Sequence, residues 1–321
     1  MANNVIIENY DEIYIRILAE PSILYNIQSK FTFDVPGARY MPSYRNKTWD
    51  GKIRLLNVMS GLIYKGLLPY IEKYLLDQNY TYTKFNEDKN LSLEEIKCIF
   101  DKIKITQDIV PRQYQIDAYN HGLINNRSLF LLPTSSGKSL IIYLISQSYE
   151  GKILIIVPTT GLVHQMVNDF VNYGCKENDI HKVFSGQEKN TNAKITITTW
   201  QSIHRLNKKW FEEFNVVIGD EAHLFKASSL TTIMTKLNKC KYRFGFTGTI
   251  DGSLTNTMVL EGLFGKIYSP TTTKELMDAG YVSELKIKSI VLNFLPSTIS
   301  SLSSVIGISA FNKARFCLSI I

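Results

Sequence analysis

Apolar and polar positions along the chain follow two regimes. Up to Lys84 the pattern is short and mixed. Tyr10 to Leu18 alternates, with Ile13, Ile15 and Ile17 on one face, which predicts a half-buried strand. Pro21, whose ring presets φ, opens a predicted helix over Ser22 to Gln28. Lys30 to Gly37 predicts a strand closed by a Pro-Gly turn, and Asp50-Gly51 a turn into a strand holding Ile53 and Leu55. Gly66 to Leu76 has helical spacing, with Leu67, Ile71, Tyr74 and Leu75 inward. Charge then takes over from Asn86 to Asn90. A helix over Leu93 to Ile103 follows, with Ser92 as its N-cap and Glu95 at the capping-box position.

From Ile109 onward several segments read as fully buried strands. Ser128 to Leu132, Ile153 to Val157, Lys194 to Thr198, Val216 to Gly219 and Tyr242 to Phe246 each precede a helical pattern. Such runs are strands buried on both faces, and their alternation with helices predicts a doubly wound α/β domain with a mainly parallel sheet. The expected division is a small α+β domain over 1–84, a linker with its helix over 85–108, the α/β domain over 109–285, and a short start of a further domain with a tail over 286–321.

Composition narrows the class. At 321 residues, with 45% hydrophobic and 20% charged positions, the chain has material for about two ordinary globular domains. No apolar run approaches the roughly 20 residues of a membrane span, and Met1 to Val5 lacks the layout of a signal peptide. A cytoplasmic protein without a membrane partner is therefore expected. Cys98, Cys175, Cys240 and Cys317 form no C-x-x-C pair, which argues for lone thiols over zinc or a disulfide framework. A net charge of +7 makes an anionic partner plausible.

The chemistry concentrates behind the strands. Pro133-Thr134-Ser135-Ser136-Gly137-Lys138-Ser139 lies between a strand and a helix, where backbone amides and a helix dipole converge on an anion. Lys138 would reach the terminal phosphates and Ser139 would take one place on Mg²⁺. The first glycine of a phosphate-binding loop is replaced by Leu132. Asp220-Glu221-Ala222-His223 closes an apolar strand, the position where an α/β sheet presents its ligands. Asp220 suits Mg²⁺ and Glu221 the attacking water. Between Arg39 and Arg54, the cations Arg45, Lys47, Lys52 and Arg54 interleave with Tyr40, Tyr44 and Trp49. Cations neutralise phosphates and rings stack on unpaired bases, although a solvated basic face has the same composition.

Together Gly137-Lys138-Ser139 and Asp220-Glu221-Ala222-His223 resemble the superfamily-two helicases and translocases, with a RecA-like motor domain and ATP as substrate. In that family's order, Arg112-Gln113-Tyr114-Gln115 resembles the adenine-contacting Q motif, with Gln115 reading the base. The family's phosphate loop also lacks the first glycine, so Leu132 is expected there, whereas Ser135 replaces a usual glycine. Pro158-Thr159-Thr160 and Thr199-Trp200-Gln201 resemble the segments that touch the nucleic-acid backbone. Phe246-Thr247-Gly248-Thr249 resembles motif III, which with His223 couples hydrolysis to the strand.

Pro36-Gly37-Ala38-Arg39-Tyr40, Trp49-Asp50-Gly51-Lys52-Ile53-Arg54-Leu55-Leu56 and the stretch Tyr281 to Ile287 are similar to the UvsW-like recombination and repair helicases of large tailed phages. That resemblance implies an ATP-dependent 3′-to-5′ DNA helicase acting on branched DNA and R-loops, in the host cytoplasm. The family's second motor domain carries Q-x-x-G-R-x-x-R, a pattern these 321 residues do not contain. A fragment, an interrupted frame or a second motor on a separate chain would each account for that. Weak turnover by these residues alone is the expectation. Another superfamily-two translocase, of restriction or RNA-helicase type, and a non-catalytic DNA-binding remnant are the competing readings.

Overall fold

The computed structural model describes residues 4–86, 90–184, 192–226, 228–250 and 252–283, together with the backbone of 290–291 and 317–318; side chains of 226, 228 and 229 are not described. Residues 1–273 form one compact unit and 274–321 a second.

In the N-terminal part, β1 (Asn4–Asn9), β2 (Tyr14–Leu18), α1 (Pro21–Lys30), β3 (Thr32–Asp34), α2 (Pro42–Arg45), β4 (Lys52–Arg54), β5 (Leu62–Tyr64), α3 (Leu68–Asp77) and β6 (Thr81–Lys84) follow in order. A mixed four-stranded sheet has the order β5-β2-β1-β6, and β3 with β4 forms a separate hairpin. Ile15 and Ile17 of β2, Val5 and Ile7 of β1, and Leu67, Ile71 and Leu75 share one apolar core. Tyr74 packs against it half-buried. The expected strand from Tyr10 starts only at Tyr14, because Asp11 Oδ1 accepts the N–H groups of Ile13 (2.7 Å) and Tyr14 (2.8 Å) and turns the chain first. Likewise the expected strand over Lys30 to Gly37 shrinks to β3. Gly37, at φ 74°, ends it in a turn, and Leu55 lies just past β4.

The linker helix α4 (Leu93–Phe100) carries both capping-box bonds: Ser92 Oγ accepts Glu95 N–H at 3.2 Å, and Glu95 Oε2 accepts Ser92 N–H at 2.7 Å. Beyond it come α5 (Gln113–Asn125), β7 (Arg127–Leu131), α6 (Lys138–Ser148), β8 (Lys152–Val157), α7 (Thr160–Tyr173), β9 (Ile180–Val183), β10 (Ile195–Thr199), α8 (Trp200–Ile203), α9 (Lys208–Phe211), β11 (Phe214–Asp220), α10 (Ser228–Lys236), β12 (Tyr242–Thr247), α11 (Leu254–Phe264) and β13 (Ile267–Tyr268). The seven strands form one parallel sheet in the order β13-β7-β12-β11-β8-β10-β9. This is the α/β architecture that the apolar runs predict. Parallel pairing brings the carboxyl ends of β7, β12, β11, β8 and β10 to one edge. From β7 to β10 that edge spans four strand spacings, about 19 Å.

The two cores meet at α11. Tyr64 and Val259 pack against both. Tyr70 donates to both oxygens of the buried Glu261 carboxylate, at 2.8 and 2.9 Å. Glu12, in the turn between β1 and β2, pairs at 3.0 Å with both Arg127 and Lys65. Gly66 lies so close to α11 that an added Cβ would stand 2.1 Å from the Glu261 carbonyl oxygen, which only glycine tolerates. The N-terminal part is therefore seated on the α/β domain by backbone contact.

In the second unit, α12 (Thr273–Asp278) precedes two short paired strands, β14 (Ile290–Val291) and β15 (Cys317–Leu318). The rest of the expected strand over 286–294, the serine-rich stretch after it and Arg315 lie outside the described residues. Cys175 and Cys240 are buried, whereas Cys98 is exposed on α4.

Candidate nucleotide and nucleic-acid site

The loop after β7 is fixed from three directions. Leu132 N–H donates to Thr247 O at 2.9 Å, so the loop starts tied to the end of β12. The Leu132 side chain is fully buried, which accounts for an apolar residue where a glycine is usual. From α5, Tyr114 Oη and Gln115 Nε2 both donate to Ser136 O, at 2.8 and 3.0 Å. Gln115 Oε1 accepts Arg112 N–H at 2.8 Å, and Arg112 Nη1 donates to Tyr114 Oη at 3.1 Å. Both ends of the Gln115 amide are thus engaged by the chain itself. Gly137, at φ 73°, caps α6, and a Cβ there would stand 2.5 Å from Gln115 Nε2. Ser135 is also left-handed at φ 63°, a conformation costing a non-glycine residue about 1 kcal/mol. That is the physical reason a glycine is the usual occupant.

Thr134 and Ser135 are exposed, while the Ser136 hydroxyl is buried without a hydrogen-bond partner among the described residues. Lys138 Nζ lies 3.5 Å from Leu132 O, between the loop and Gly248. Ser139 Oγ is 2.8 Å from Tyr173 Oη on α7.

Two strands away, Asp220 ends β11. Desolvation first, and the adjacent Glu221 second, hold its carboxyl above the ordinary range, while Lys138 pulls the other way. Asp220 Oδ1 is buried and has no hydrogen-bond partner among the described residues. An orphaned carboxylate oxygen facing a lysine across a phosphate loop fits a hard divalent cation. No cluster of three His, Cys, Asp or Glu groups occurs among the described residues.

Glu221 takes φ 50°, a strained backbone for a side chain of its size. Its Oε2 is 3.3 Å from His223 Nδ1, which is 3.0 Å from Thr247 Oγ1. The Thr247 hydroxyl has one proton and gives it to Thr249 O at 2.8 Å. His223 Nδ1 must therefore be the protonated nitrogen. Glu221, His223 and the threonine turn form one line of polar contacts, and Gly248 sits against the phosphate loop.

The other half of the edge carries the expected nucleic-acid segments. Thr159 N-caps α7, its hydroxyl accepting Leu162 N–H at 3.4 Å. Pro158 is half-buried, and Thr159 and Thr160 are exposed. Thr199 is buried, its hydroxyl 3.0 Å from Ser202 Oγ; Trp200 packs on the core and Gln201 is exposed. In the N-terminal part, Arg45 and Lys47 are exposed. Arg54 is held in a two-point pair by Asp50, and Lys52 lies 3.9 Å from Asp34. Trp49 Nε1 donates to Lys52 O at 2.9 Å. Thr255, in the first turn of α11, donates to Asp34 O at 2.9 Å, so the hairpin bearing these cations is anchored just past the threonine turn.

Three residues at this site have no role that the amino-acid sequence alone suggests. Tyr114 lies inside the Arg112 to Gln115 motif, but its partner carbonyl becomes visible only once α5 folds over the loop. Tyr173 and Asp169 have no local signal, because both reach Ser139 from a helix two elements later.

Comparison with known proteins bears on this arrangement. Residues 4–84 match the family model described as DNA helicase UvsW, N-terminal, and residues 108–252 that of the type III restriction enzyme res subunit. A crystal structure of the UvsW helicase from bacteriophage T4 superposes with a TM-score of 0.76 at 35% identity, over 83% of this chain and 100% of that one. The chain belongs to the UvsW helicase family. The ATP-dependent DNA helicase uvsW of Enterobacteria phage T4 is 38% identical over 302 residues, 89% of this chain and 60% of that protein. A more distant relative, the DNA 3′-5′ translocase XPB2 of Sulfurisphaera tokodaii, is 26% identical over 220 residues, 65% of this chain and 47% of that one. The chain thus spans about half to three-fifths of the length of these two curated relatives. Both matched regions fall on the N-terminal part and the motor sheet.

Proposed function

We propose that this chain is the nucleotide-binding and DNA-binding portion of an ATP-dependent UvsW-family helicase that works on branched DNA. The observation that carries the reading is the edge itself. The phosphate loop, the orphaned Asp220 oxygen and the Glu221–His223–Thr247 chain occupy its first half, and Thr159, Thr160 and Gln201 its second. Lys138 and the amino end of α6 neutralise the β- and γ-phosphates. Gln115 and Tyr114, buried and bonded to the chain itself, set the loop's shape, and the half-buried Arg112 edges the adenine. Ser139 and Asp220 would hold Mg²⁺, which would offset phosphate charge when bound. Glu221 orients the attacking water, and His223 passes its position to Thr247.

Thr159, Thr160 and Gln201 hold one strand by its phosphates, which positions DNA without reading sequence. Arg45 and Lys47 add a second, exposed contact on the N-terminal part. Transition-state charge in this superfamily is completed by an arginine from a second motor domain, worth about 10³ to 10⁵ in rate. A second motor domain is the partner that this reading implies. The host cytoplasm is the setting that fits, and among the described residues no helix is long and apolar enough to cross a membrane.

Competition binding tests this reading. Forked DNA should displace a labelled single strand from the chain more effectively than duplex DNA or RNA of equal length. Equal displacement by RNA would overturn the DNA assignment. No displacement by any nucleic acid would overturn the helicase reading as a whole.

A further inference from the structure

Helix α7 touches both halves of the edge. At its amino end Thr159 caps the helix and Thr160 begins it, where the DNA backbone is proposed to lie. Further along, Tyr173 Oη stands 2.8 Å from Ser139 Oγ. Asp169, one turn before Tyr173, is near enough for the same hydroxyl to oppose the upward pull of burial on its carboxyl. Both partners lie on one face of the helix, four residues apart. Tyr173 is braced in turn by its ring against Tyr143, with centroids 5.5 Å apart. Thr160 and Asp169 are separated by nine residues, a rise of about 14 Å along one rigid helix.

A serine hydroxyl has one proton and two lone pairs. Giving the proton to Asp169 or Tyr173 leaves the lone pairs for a cation and fixes their direction. Partners that orient a metal ligand in this way typically change metal affinity 10- to 100-fold when removed. We propose that α7 is a tie rod between the two halves of the edge. Tyr173 and Asp169 are positioning residues that aim the Ser139 hydroxyl at Mg²⁺, and their place on the helix follows whatever the DNA backbone does at Thr159 and Thr160. This rests on the nucleotide reading of the phosphate loop. It adds a route from DNA to the metal that bypasses the His223–Thr247 chain.

The test is binding of a fluorescent ADP to the full chain, in Mg²⁺ and in EDTA, with and without oligothymidine. In the parent chain oligothymidine should shift ADP affinity in Mg²⁺ but not in EDTA. Tyr173→Phe keeps the ring packing, and Asp169→Asn keeps the size. Each should weaken ADP binding in Mg²⁺ by about tenfold and flatten the oligothymidine shift, with EDTA affinity and melting temperature unchanged. Parent-like binding in both variants, or a parallel loss in EDTA and in melting temperature, would overturn the proposal. Lys138→Ala separates the two levels: if that variant binds ADP as the parent does, the nucleotide reading itself fails, whatever Tyr173 does.

Discussion

Two regions of this molecule concentrate charged side chains, and they are built in opposite ways. At the carboxyl edge of the motor sheet the charges are few. Lys138, Asp220, Glu221 and His223 are half-buried, and each is set by a strand end or by a loop whose carbonyls are already spoken for. Between Arg39 and Arg54 the charges are many and exposed, and the region's own acids engage part of them, Asp50 holding Arg54 and Asp34 lying near Lys52. An orphaned oxygen such as Asp220 Oδ1 is costly and asks for a ligand. An exposed lysine is already satisfied by water. Placement makes the first region a site, and number makes the second a field that attracts phosphates from a distance.

Separating the two regions mechanically has the largest expected effect. Gly66→Ala drives a Cβ into the Glu261 carbonyl and should cost about 3 kcal/mol, read as a lowered melting temperature. DNA affinity should fall with it while ADP affinity holds, if the N-terminal cations act through their docked position. Removing the field itself is the next step down. Arg45→Ala with Lys47→Ala should weaken single-stranded DNA binding by roughly tenfold and lower the salt slope by about 0.7 for each phosphate no longer neutralised, leaving ADP binding unchanged. Arg54→Ala should do less, because its guanidinium already faces Asp50.

The docking is also open to acid. Burial alone would raise the Glu12 carboxyl, but Arg127 and then Lys65 outweigh it and hold it below the ordinary carboxylate range. Desolvation lowers Arg127, yet a guanidinium starts so high that it stays charged. A depressed carboxylate contributes stability that is present above its unfolded value and lost as pH falls through the folded one. Melting temperature should therefore drop more steeply below about pH 4 in the parent than in Glu12→Gln. The smallest effect sharpens the edge. Ser135→Gly relieves a left-handed serine, offset by glycine's extra chain entropy, and should tighten ADP binding by less than about threefold.

The same contrast governs what could be read from the amino-acid sequence. The strands β7, β8, β10, β11 and β12 were legible because a parallel strand buried on both faces is rich in apolar and β-branched residues. Their following residues were legible because phosphate and metal chemistry admits few substitutes. β1, β6, β9 and β13 were not: β1 buries only Val5 and Ile7, and the other three run two to four residues. Ser135 was visible as an oddity, but its left-handed φ was needed to show why glycine is usual there. The engagement of Gln115 with Ser136 O and of Ser139 with Tyr173 is contact between distant segments, invisible to any local pattern. Nor could composition tell Arg45 from Arg54, since only the fold reveals that Asp50 closes on one of them.

The central claim is that the carboxyl edge binds nucleotide through the phosphate loop and the orphaned acid together. Calorimetric titration of ADP into the parent chain, Lys138→Ala and Asp220→Asn tests it most directly. The account predicts Mg²⁺-dependent binding by the parent, loss of about 10- to 100-fold in Lys138→Ala, and binding by Asp220→Asn that no longer responds to Mg²⁺. Equal, Mg²⁺-sensitive binding by all three chains would contradict it.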